Sequence, residues 1–364
     1  MHRDTKVLHF GPSPASTGGT VSKEHLASRT SPQDAVAAAL AELEEGTCAL
    51  LFGSGMAAIN CLLSLCNGGD RVIVAGDMCA GVNRALERVF RRFFIMDRSI
   101  DLSDAQALQD AVHASRLLLL NSPADPVLQV ADIRAAVATA HAAGCLVAVD
   151  NSAMTGYLQR PLTLGADVVV YGSNGHLCGD RGISSGALVL RDRALAQGLQ
   201  IIAEATGSGL DPLSAWCLLA GLRTLGVRMT RQQANAETIA KAMIGRDWVR
   251  CVHYPGLAEH PGHAVQARQA EGFGPLVALD VGERAFAERL ASNLQFFTQD
   301  DVCGAAESVV SLPRPAQTAA RAAQRQESRS SEGVLRLSIG LEHPADLVED
   351  LDRAARASLS APGT

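Results

Sequence analysis

The stretch that decides the fold is Ala166-Asp-Val-Val-Val-Tyr-Gly-Ser-Asn-Gly-His176. Its β-branched apolar run predicts a buried strand, and the polar and glycine residues after it predict a turn at the strand's carboxyl end. Similar apolar runs lie at Arg71–Ala75, Leu117–Leu120 and Leu146–Val149, with a helical segment from Asp132 to Ala143. This alternation predicts an α/β domain with a mostly parallel sheet and a ligand site at the carboxyl ends of its strands.

A second candidate site lies nearer the N-terminus. Cys48–Phe52 is predicted as a short strand, and Gly53-Ser54-Gly55 joins it to a helix that continues with Met56. The free N–H groups and the dipole of a helix start favour an anion at such a turn, although tight packing also uses turns of this kind. Before it, residues 1 to about 34 are rich in Ser, Thr, Gly and Pro and predict an extended arm, followed by a helix that runs from Pro32 to about Gly46.

Composition excludes several classes of protein. The 364 residues are 47% hydrophobic and 19% charged, which is typical of a folded globular chain. A net charge of −6 gives no reason to expect nucleic acid or an anionic membrane as a partner. The N-terminus lacks the apolar core of a signal peptide, and we find no run that would span a bilayer. Nine cysteines without a Cys-x-x-Cys pair favour reduced thiols in a cytoplasmic protein over a zinc or disulfide framework.

The C-terminal third has a different pattern. Predicted helices at Pro212–Leu225 and Thr230–Ile244 precede a mixture of strands (Pro275–Asp280, Gly333–Ser338) and helices (Ala285–Asn293, Pro344–Leu359). We therefore predict an N-terminal arm and helix over residues 1–48, a large domain over 49–235 and a smaller α+β domain over 236–364. The polar, arginine-rich residues from Thr318 to Ser331 predict a mobile segment.

Ordered motifs along nearly the whole chain carry a resemblance to a known family. They are Thr5-Lys-Val-Leu-His-Phe-Gly11, Ser54-Gly-Met-Ala-Ala-Ile59, Ser122-Pro-Ala-Asp-Pro126, Val149-Asp-Asn-Ser152, Arg160-Pro-Leu-Thr-Leu-Gly-Ala-Asp167, Gly221-Leu-Arg-Thr-Leu225, Tyr254-Pro-Gly-Leu257, Gly272-Phe-Gly274 and Arg336-Leu-Ser-Ile-Gly-Leu-Glu342. The chain resembles the Cys/Met-metabolism enzymes that depend on pyridoxal 5'-phosphate (PLP), such as cystathionine γ-synthase, cystathionine β- and γ-lyase and methionine γ-lyase. The resemblance implies fold type I of the PLP-dependent transferases and an oligomer, either a homodimer or homotetramer or a complex with an active homologue.

The resemblance also implies roles for individual residues. Ser54, Gly55 and Met56 match the family's phosphate-binding turn, and Asp150 matches the aspartate that pairs with the pyridine nitrogen of PLP. Arg336 matches the arginine that binds the substrate carboxylate, a task that suits a planar bidentate donor. A strand-end cap for Asp150 and an interdomain ion pair for Arg336 are the competing interpretations.

The chain departs from the family most sharply where PLP would be attached. The family's Ser-x-Thr-Lys is Gly172-Ser173-Asn174-Gly175 here, so that the Schiff-base lysine and two hydroxyls are replaced, while Ser173 or Asn174 can still contact a phosphate. Covalent attachment of PLP is therefore not expected, because glycine offers no amine. The remaining departures are Cys79 for the stacking tyrosine, Asp125 for an asparagine, Val302 for a serine, and Ala27-Ser-Arg29 for a Tyr-x-Arg segment. The chain's three lysines, Lys6, Lys23 and Lys241, are not placed to substitute.

Three interpretations remain open from the sequence. The chain is a pseudoenzyme or a silent partner subunit of an active homologue. Alternatively, it is an enzyme of sulfur amino acids that holds PLP non-covalently with His176 as the general base, since histidine has a suitable pKa. In the third, the pocket has been rebuilt for another ligand or a metal around Cys79, Cys178, His176, Asp180 and Cys303, although their spacing matches no metal motif.

Overall fold

The computed structural model describes residues 3–8, 31–76, 78, 80–101, 105–172, 175–301, 304–312 and 333–360. The elements up to residue 206 are α1 Arg3–Leu8, α2 Pro32–Leu43, β1 Cys48–Phe52, α3 Gly55–Leu63, β2 Arg71–Ala75, α4 Ala80–Arg88, a 3₁₀ turn at Phe90–Phe93, β3 Met96–Ile100, α5 Ala105–Val112, β4 Leu117–Asn121, α6 Ile133–Ala142, β5 Leu146–Asp150, α7 Thr155–Leu158, a 3₁₀ turn at Pro161–Leu164, β6 Val168–Tyr171, α8 Gly175–Cys178, β7 Gly186–Leu190 and α9 Arg193–Thr206.

The later described elements are helices and the strands of a second sheet. They are α10 Pro212–Arg223, α11 Leu225–Met243, β8 Cys251–His253, α12 His263–Gln269, β9 Leu276–Asp280, α13 Arg284–Asn293, β10 Thr298–Gln299, β11 Val309–Ser311, β12 Val334–Ser338 and α14 Pro344–Ser360. None of the described helices is long and apolar enough to cross a membrane.

The first sheet has seven strands in the order β1-β7-β6-β5-β4-β2-β3. Strands β3, β2, β4, β5 and β6 are parallel, whereas β7 runs antiparallel to both β6 and β1. Phe52 at the end of β1 is therefore level with Gly186 at the start of β7, and Tyr171 at the end of β6 is level with Ala187. This places the carboxyl ends of β1, β4, β5 and β6 along one edge of the sheet.

Both faces of this sheet are buried at its inner strands, which explains the nearly continuous apolar runs of β2, β4, β5, β6 and β7. Val72, Leu119 and Val170 belong to one core cluster, while their sequence neighbours Ile73 and Leu118 belong to a cluster on the opposite face. Alternate residues of a strand point to opposite faces, so each run supplies two cores at once. Burial of a single leucine or valine side chain contributes about 1.5–3 kcal/mol, and these cores bring the site-bearing strand ends into fixed positions.

The second sheet has five strands in the order β10-β11-β12-β9-β8. Strand β12 pairs antiparallel with β9 and with β11, and Arg336 in β12 lies opposite Ser311 in β11. One core cluster joins α11, α13 and α14 to this sheet through residues such as Ile239, Leu290 and Leu351. The second sheet thus presents Arg336 from an ordered central strand.

The mostly parallel α/β architecture predicted from the sequence is confirmed, with β7 as the one reversed strand among the seven described strands of this sheet. The prediction of an extended arm is wrong for residues 3–8, which form α1, because Val7 is buried and Asp4 accepts a hydrogen bond of 2.7 Å from the hydroxyl of Tyr157. The second long helix begins at Leu225 rather than Thr230. The domain limits at residues 48 and 235 stay a prediction, and the predicted mobile segment, 318–331, lies outside the described residues.

Candidate active site at the carboxyl edge of the first sheet

The turn after β1 packs its backbone tightly against the ends of two other strands. Ser54 caps α3, its hydroxyl oxygen accepting a hydrogen bond of 3.1 Å from the amide of Ala57. A Cβ atom at Gly55 would lie 1.8 Å from the carbonyl oxygen of Gly172, and one at Gly186 would lie 2.4 Å from the carbonyl oxygen of Ser54. Glycine is therefore required at both positions, because any side chain would overlap the neighbouring main chain. The amides of Gly55 and Met56 lie in the first turn of α3, next to Gly172 just after β6.

Asp150, the last residue of β5, is held in place from the same edge. Its Oδ1 atom accepts hydrogen bonds from the Ser152 amide at 3.0 Å and from the Ser152 hydroxyl at 2.5 Å. The amide of Gly172 in turn donates to the Ser152 hydroxyl oxygen at 2.9 Å. A Cβ atom at Gly172 would lie 2.9 Å from Asp150 Oδ2, so the carboxylate and the end of β6 are in direct contact.

The charge on Asp150 is not balanced by a neighbouring cation within the described residues. Burial raises the pKa of this carboxyl, and the hydrogen bonds from Ser152 and Gly172 oppose the rise without cancelling it. A buried carboxylate whose pKa is raised binds a proton or a cationic partner more readily than an exposed one. Chemically, this edge of the sheet is suited to a ligand that brings a positive or protonated group.

Gly175 is the buried first residue of α8, four residues beyond Tyr171 at the end of β6. Its backbone is helical, a conformation open to every L-amino acid, so the main chain does not require glycine at this position. By contrast, Gly179 at the other end of α8 has φ +78° and faces the Arg228 guanidinium. Ser173 and Asn174, which the sequence placed at the phosphate, lie outside the described residues.

His176 is buried, with 2% of its surface exposed. Neither ring nitrogen has a hydrogen-bond partner among the described residues, and a Cβ atom at Gly304 would lie 2.6 Å from the ring carbon Cγ. Burial lowers the pKa of this imidazole to about 3, and the positive charges of Arg228 and Arg336 act in the same direction. His176 is therefore neutral at physiological pH and packs as an apolar ring.

Sequence reasoning missed Arg228, which holds α8 in position. Its guanidinium donates to the carbonyl oxygens of His176, Leu177 and Gly221 at 2.5, 2.9 and 2.8 Å, and its Nε atom donates to Thr224. Burial lowers the pKa of this guanidinium to about 10. The spacing of residues along α11 could have identified it. Arg228 lies on the same helix face as the buried Leu225 and Met229, and a buried arginine needs hydrogen-bond acceptors.

Arg336 reaches the same edge from the second sheet. Its Nη1 atom donates to Asp125 Oδ2, its Nε atom donates to the Ser311 hydroxyl at 2.9 Å, and its Nη2 atom donates to the carbonyl oxygen of Asp301 at 2.8 Å. Only 14% of the Arg336 side chain and 24% of the Asp125 side chain are exposed. From the sequence, Arg336 was expected either to bind a substrate carboxylate or to form an interdomain ion pair. In this structure it forms an ion pair with the side chain of Asp125.

The other candidate residues do not assemble into a metal site in the described part of the chain, where no group of three or more His, Cys, Asp or Glu side chains is arranged to hold an ion. Cys178 is half-buried and its sulfur lies 3.9 Å from the carbonyl oxygen of Cys217, while Asp180 is exposed. Lys241 is exposed on α11 and pairs with Glu237. Residues Lys23, Arg29, Cys79, Val302 and Cys303 lie outside the description.

A mixed sheet with this strand order and a site at its carboxyl edge defines the chain as a fold type I protein of the PLP-dependent class, as its solved neighbours also show. A model of the family "Cys/Met metabolism PLP-dependent enzyme" matches residues 19–356, and the chain belongs to that family. The family is PLP-dependent, as its description states.

Individual relatives match over most of their own length. The chain is 34% identical to a cystathionine gamma-lyase of Bacillus subtilis (strain 168), covering 88% of this chain and 85% of the relative. It is also 34% identical to a cystathionine gamma-synthase of Mycobacterium leprae (strain TN), covering 96% of each.

Two solved structures give the same result. Cystathionine gamma synthase from Xanthomonas oryzae pv. oryzae, in complex with aminoacrylate and cysteine, superposes with a TM-score of 0.85 at 35% identity, over 90% of this chain and 86% of the other. Cystathionine gamma-lyase from Lactobacillus plantarum, complexed with L-serine, superposes with a TM-score of 0.88 at 30% identity over 100% of both chains. The resemblance stated from the sequence is therefore confirmed.

Proposed function

We propose that this chain is a pseudoenzyme of its family, which holds PLP without a covalent bond and serves as a scaffold or partner subunit. The observation that carries the proposal is Gly175, a buried glycine with helical backbone four residues beyond the end of β6 and three residues beyond Gly172, which contacts Asp150 and Gly55. Schiff-base chemistry needs an amine nucleophile, and glycine has none. The described strand ends and turns around this position are in place, while the amine is missing.

Non-covalent binding of PLP is supported by the groups that surround Gly175. The half-buried carboxylate of Asp150 suits a protonated pyridine nitrogen, because desolvation raises the pKa of Asp150 and no described side chain balances its charge. The amides of Gly55 and Met56, at the start of the nine-residue helix α3, suit the phosphate. When bound, PLP supplies an electron-withdrawing ring.

The alternative in which His176 acts as general base is less well supported. An efficient base has a pKa near the working pH, whereas burial lowers the pKa of His176 to about 3. Its ring also packs directly against Gly304. The third alternative, a metal in a rebuilt pocket, has no ligand cluster to support it in the part of the chain that the structure describes.

A role as a subunit of an assembly is supported by large apolar side chains at the surface. Leu213 and Trp216, three residues apart on α10, are 69% and 62% exposed, and Val227 near the start of α11 is 71% exposed. Exposed apolar groups of this size are typical of surfaces that another chain covers. A homodimer, a homotetramer and a complex with a lysine-bearing homologue all meet this requirement.

Mass spectrometry tests the central proposal. The purified protein is incubated with PLP, treated with borohydride to fix any Schiff base, and weighed intact. A lysine-bearing relative treated in parallel serves as the positive control. We expect no increase in mass for this chain, together with reversible binding of PLP in equilibrium dialysis. A borohydride-dependent increase in mass by one bound PLP group would overturn the proposal. Absence of reversible binding in dialysis would contradict the part of the proposal that concerns PLP.

Light scattering and native mass spectrometry test the subunit role. The chain alone is expected to have the mass of an oligomer, and Trp216→Asp is expected to weaken that assembly. Co-expression with a lysine-bearing homologue from the same genome then distinguishes self-association from mixed assembly. A monomeric chain that also fails to join the homologue would count against a partner role.

A further inference from the structure

Arg336 is a prepared carboxylate-binding group that already holds a carboxylate. Its side chain is mostly buried, and all three of its donor nitrogens are used: Nε on Ser311, Nη2 on the Asp301 carbonyl oxygen and Nη1 on Asp125. Ser311 lies directly opposite Arg336 on β11, so the guanidinium is oriented by its own sheet before it meets Asp125. Among these three described hydrogen bonds, the one to Asp125 is made to a side-chain carboxylate.

Asp125 comes from the other sheet and from the edge that carries the candidate site. It lies four residues after Asn121, the last residue of β4, and Asn121 is level with Asp150 in β5. Ala124, beside Asp125, would contact a Cβ atom placed on Gly76 at the end of β2, so the loop lies along the carboxyl edge. The Asp125–Arg336 contact therefore joins the carboxyl edge of the first sheet to the second sheet. The two residues are 211 positions apart in the sequence.

A tethered carboxylate is a strong competitor for a free one. The planar fork of an arginine binds carboxylates through charge-assisted hydrogen bonds, and it does so equally for a ligand or for a side chain. A group held in place by the fold acts at a high effective concentration, on the order of millimolar or more, so a ligand has to displace it. Displacement would also leave the Asp125 carboxylate without its arginine partner near the sheet edge that carries Asp150.

We propose that Asp125 is a built-in ligand of Arg336, which fills the carboxylate position and makes the pocket favour amines without a carboxylate over free α-amino acids. This goes beyond the proposed function, since it concerns the ligand's carboxylate and holds whether or not PLP binds at Gly175. Replacement of Asp125 by asparagine keeps the shape of the side chain and removes its charge. Arg336 then becomes available to an incoming carboxylate.

The test is a calorimetric titration with two probes that differ by one group, L-serine and its decarboxylated counterpart ethanolamine, each measured with and without PLP. For the wild type we expect no preference for L-serine. For Asp125→Asn we expect the affinity for L-serine to rise about tenfold or more relative to ethanolamine, which is the scale of one charge-assisted contact. In the double variant Asp125→Asn/Arg336→Met this gain should disappear.

A matched control separates local contact from general charge. Glu307→Gln also removes one negative charge, from an exposed pair with Arg181, and should leave the preference unchanged. Circular dichroism and thermal unfolding establish that each variant is folded, and Asp125→Ser replaces Asp125→Asn if the latter unfolds. A wild type that already prefers L-serine tenfold, a variant that gains nothing, or a gain that survives loss of Arg336 would each overturn the proposal. Loss of PLP binding with the L-serine gain intact would instead contradict the proposed function alone.

Discussion

The hydroxyl of Tyr171 donates a hydrogen bond to Oε1 of Glu44, directly behind the strand end that carries the candidate site. The same oxygen accepts a hydrogen bond of 2.8 Å from the side-chain amide of Asn151, and Oε2 has no partner among the described residues. Glu44 is fully buried. Burial raises the pKa of Glu44 to about 7, against the opposing effect of the hydrogen bonds from Tyr171 and Asn151.

Glu44 should make the protein less stable as the pH rises. The folded state binds this proton more tightly than the unfolded state, whose carboxyl has a pKa of 4.5. The free energy of unfolding should therefore fall by about 3 kcal/mol between pH 4.5 and 7, because one pKa unit corresponds to about 1.4 kcal/mol. Glu44→Gln should remove this slope in urea unfolding measured from pH 5 to 8. Glu42→Gln, an exposed position in the last turn of α2, should retain it, and an unchanged slope in Glu44→Gln would contradict the assignment.

His176 should act in the opposite direction. Because burial lowers its pKa to about 3 from 6.5, the unfolded state binds the proton more tightly. The contribution of the neutral ring to stability is complete above pH 6.5 and is lost as the pH falls towards 3, at up to about 1.4 kcal/mol per pH unit. His176→Leu should flatten the acid side of the unfolding profile. The exposed His113→Leu serves as the control, and equal acid sensitivity in both variants would refute a buried neutral imidazole.

Gly55 tests the tight contact between the two turns of the site. A methyl group there would meet the carbonyl oxygen of Gly172 at 1.8 Å, and backbone cannot move aside as a flexible side chain can. We expect Gly55→Ala to lower the free energy of unfolding by about 2 kcal/mol or more and to weaken PLP binding. Gly198→Ala, within α9 and with open space around it, should instead stabilise the protein by about 0.5–1 kcal/mol. A neutral Gly55→Ala would mean that the turns are not in contact.

Much of this geometry could be predicted from the sequence. The apolar runs at β2, β4, β5 and β6 predicted the bounds of these strands to within one residue. The strand ends predicted that Asp150 and Gly172 lie at the same edge of the sheet. The contacts of Asp125 and Arg228 could not be predicted, because each depends on a partner from a distant element. Residues 3–8 were misassigned because their helix is stabilised by tertiary contacts, which override weak local propensity.

Asp150 should oppose stability in the free protein and support binding of PLP. Burial raises the pKa of this carboxyl, so its charge is costly until a cationic group approaches. Asp150→Asn should therefore raise the melting temperature of the cofactor-free protein at neutral pH. The same variant should abolish the increase in melting temperature that PLP produces in the wild type. Thermal unfolding with and without PLP measures both effects, and a full PLP response in Asp150→Asn would remove this residue from the site.

The variant Gly175→Lys tests whether the missing amine is the principal obstacle to covalent attachment of PLP. The backbone at this position is helical, a conformation that lysine adopts, and the Asp150 carboxylate and Gly55 are both in contact with Gly172 just after β6. We expect Gly175→Lys to gain a borohydride-dependent mass of one PLP, while Gly198→Lys, an added lysine in the middle of α9, gains none. An adduct confined to Gly175→Lys would show that the chain retains a pocket from which only the nucleophile is absent. Equal adducts in the two variants, or none in either, would mean that the surrounding shell no longer holds the cofactor.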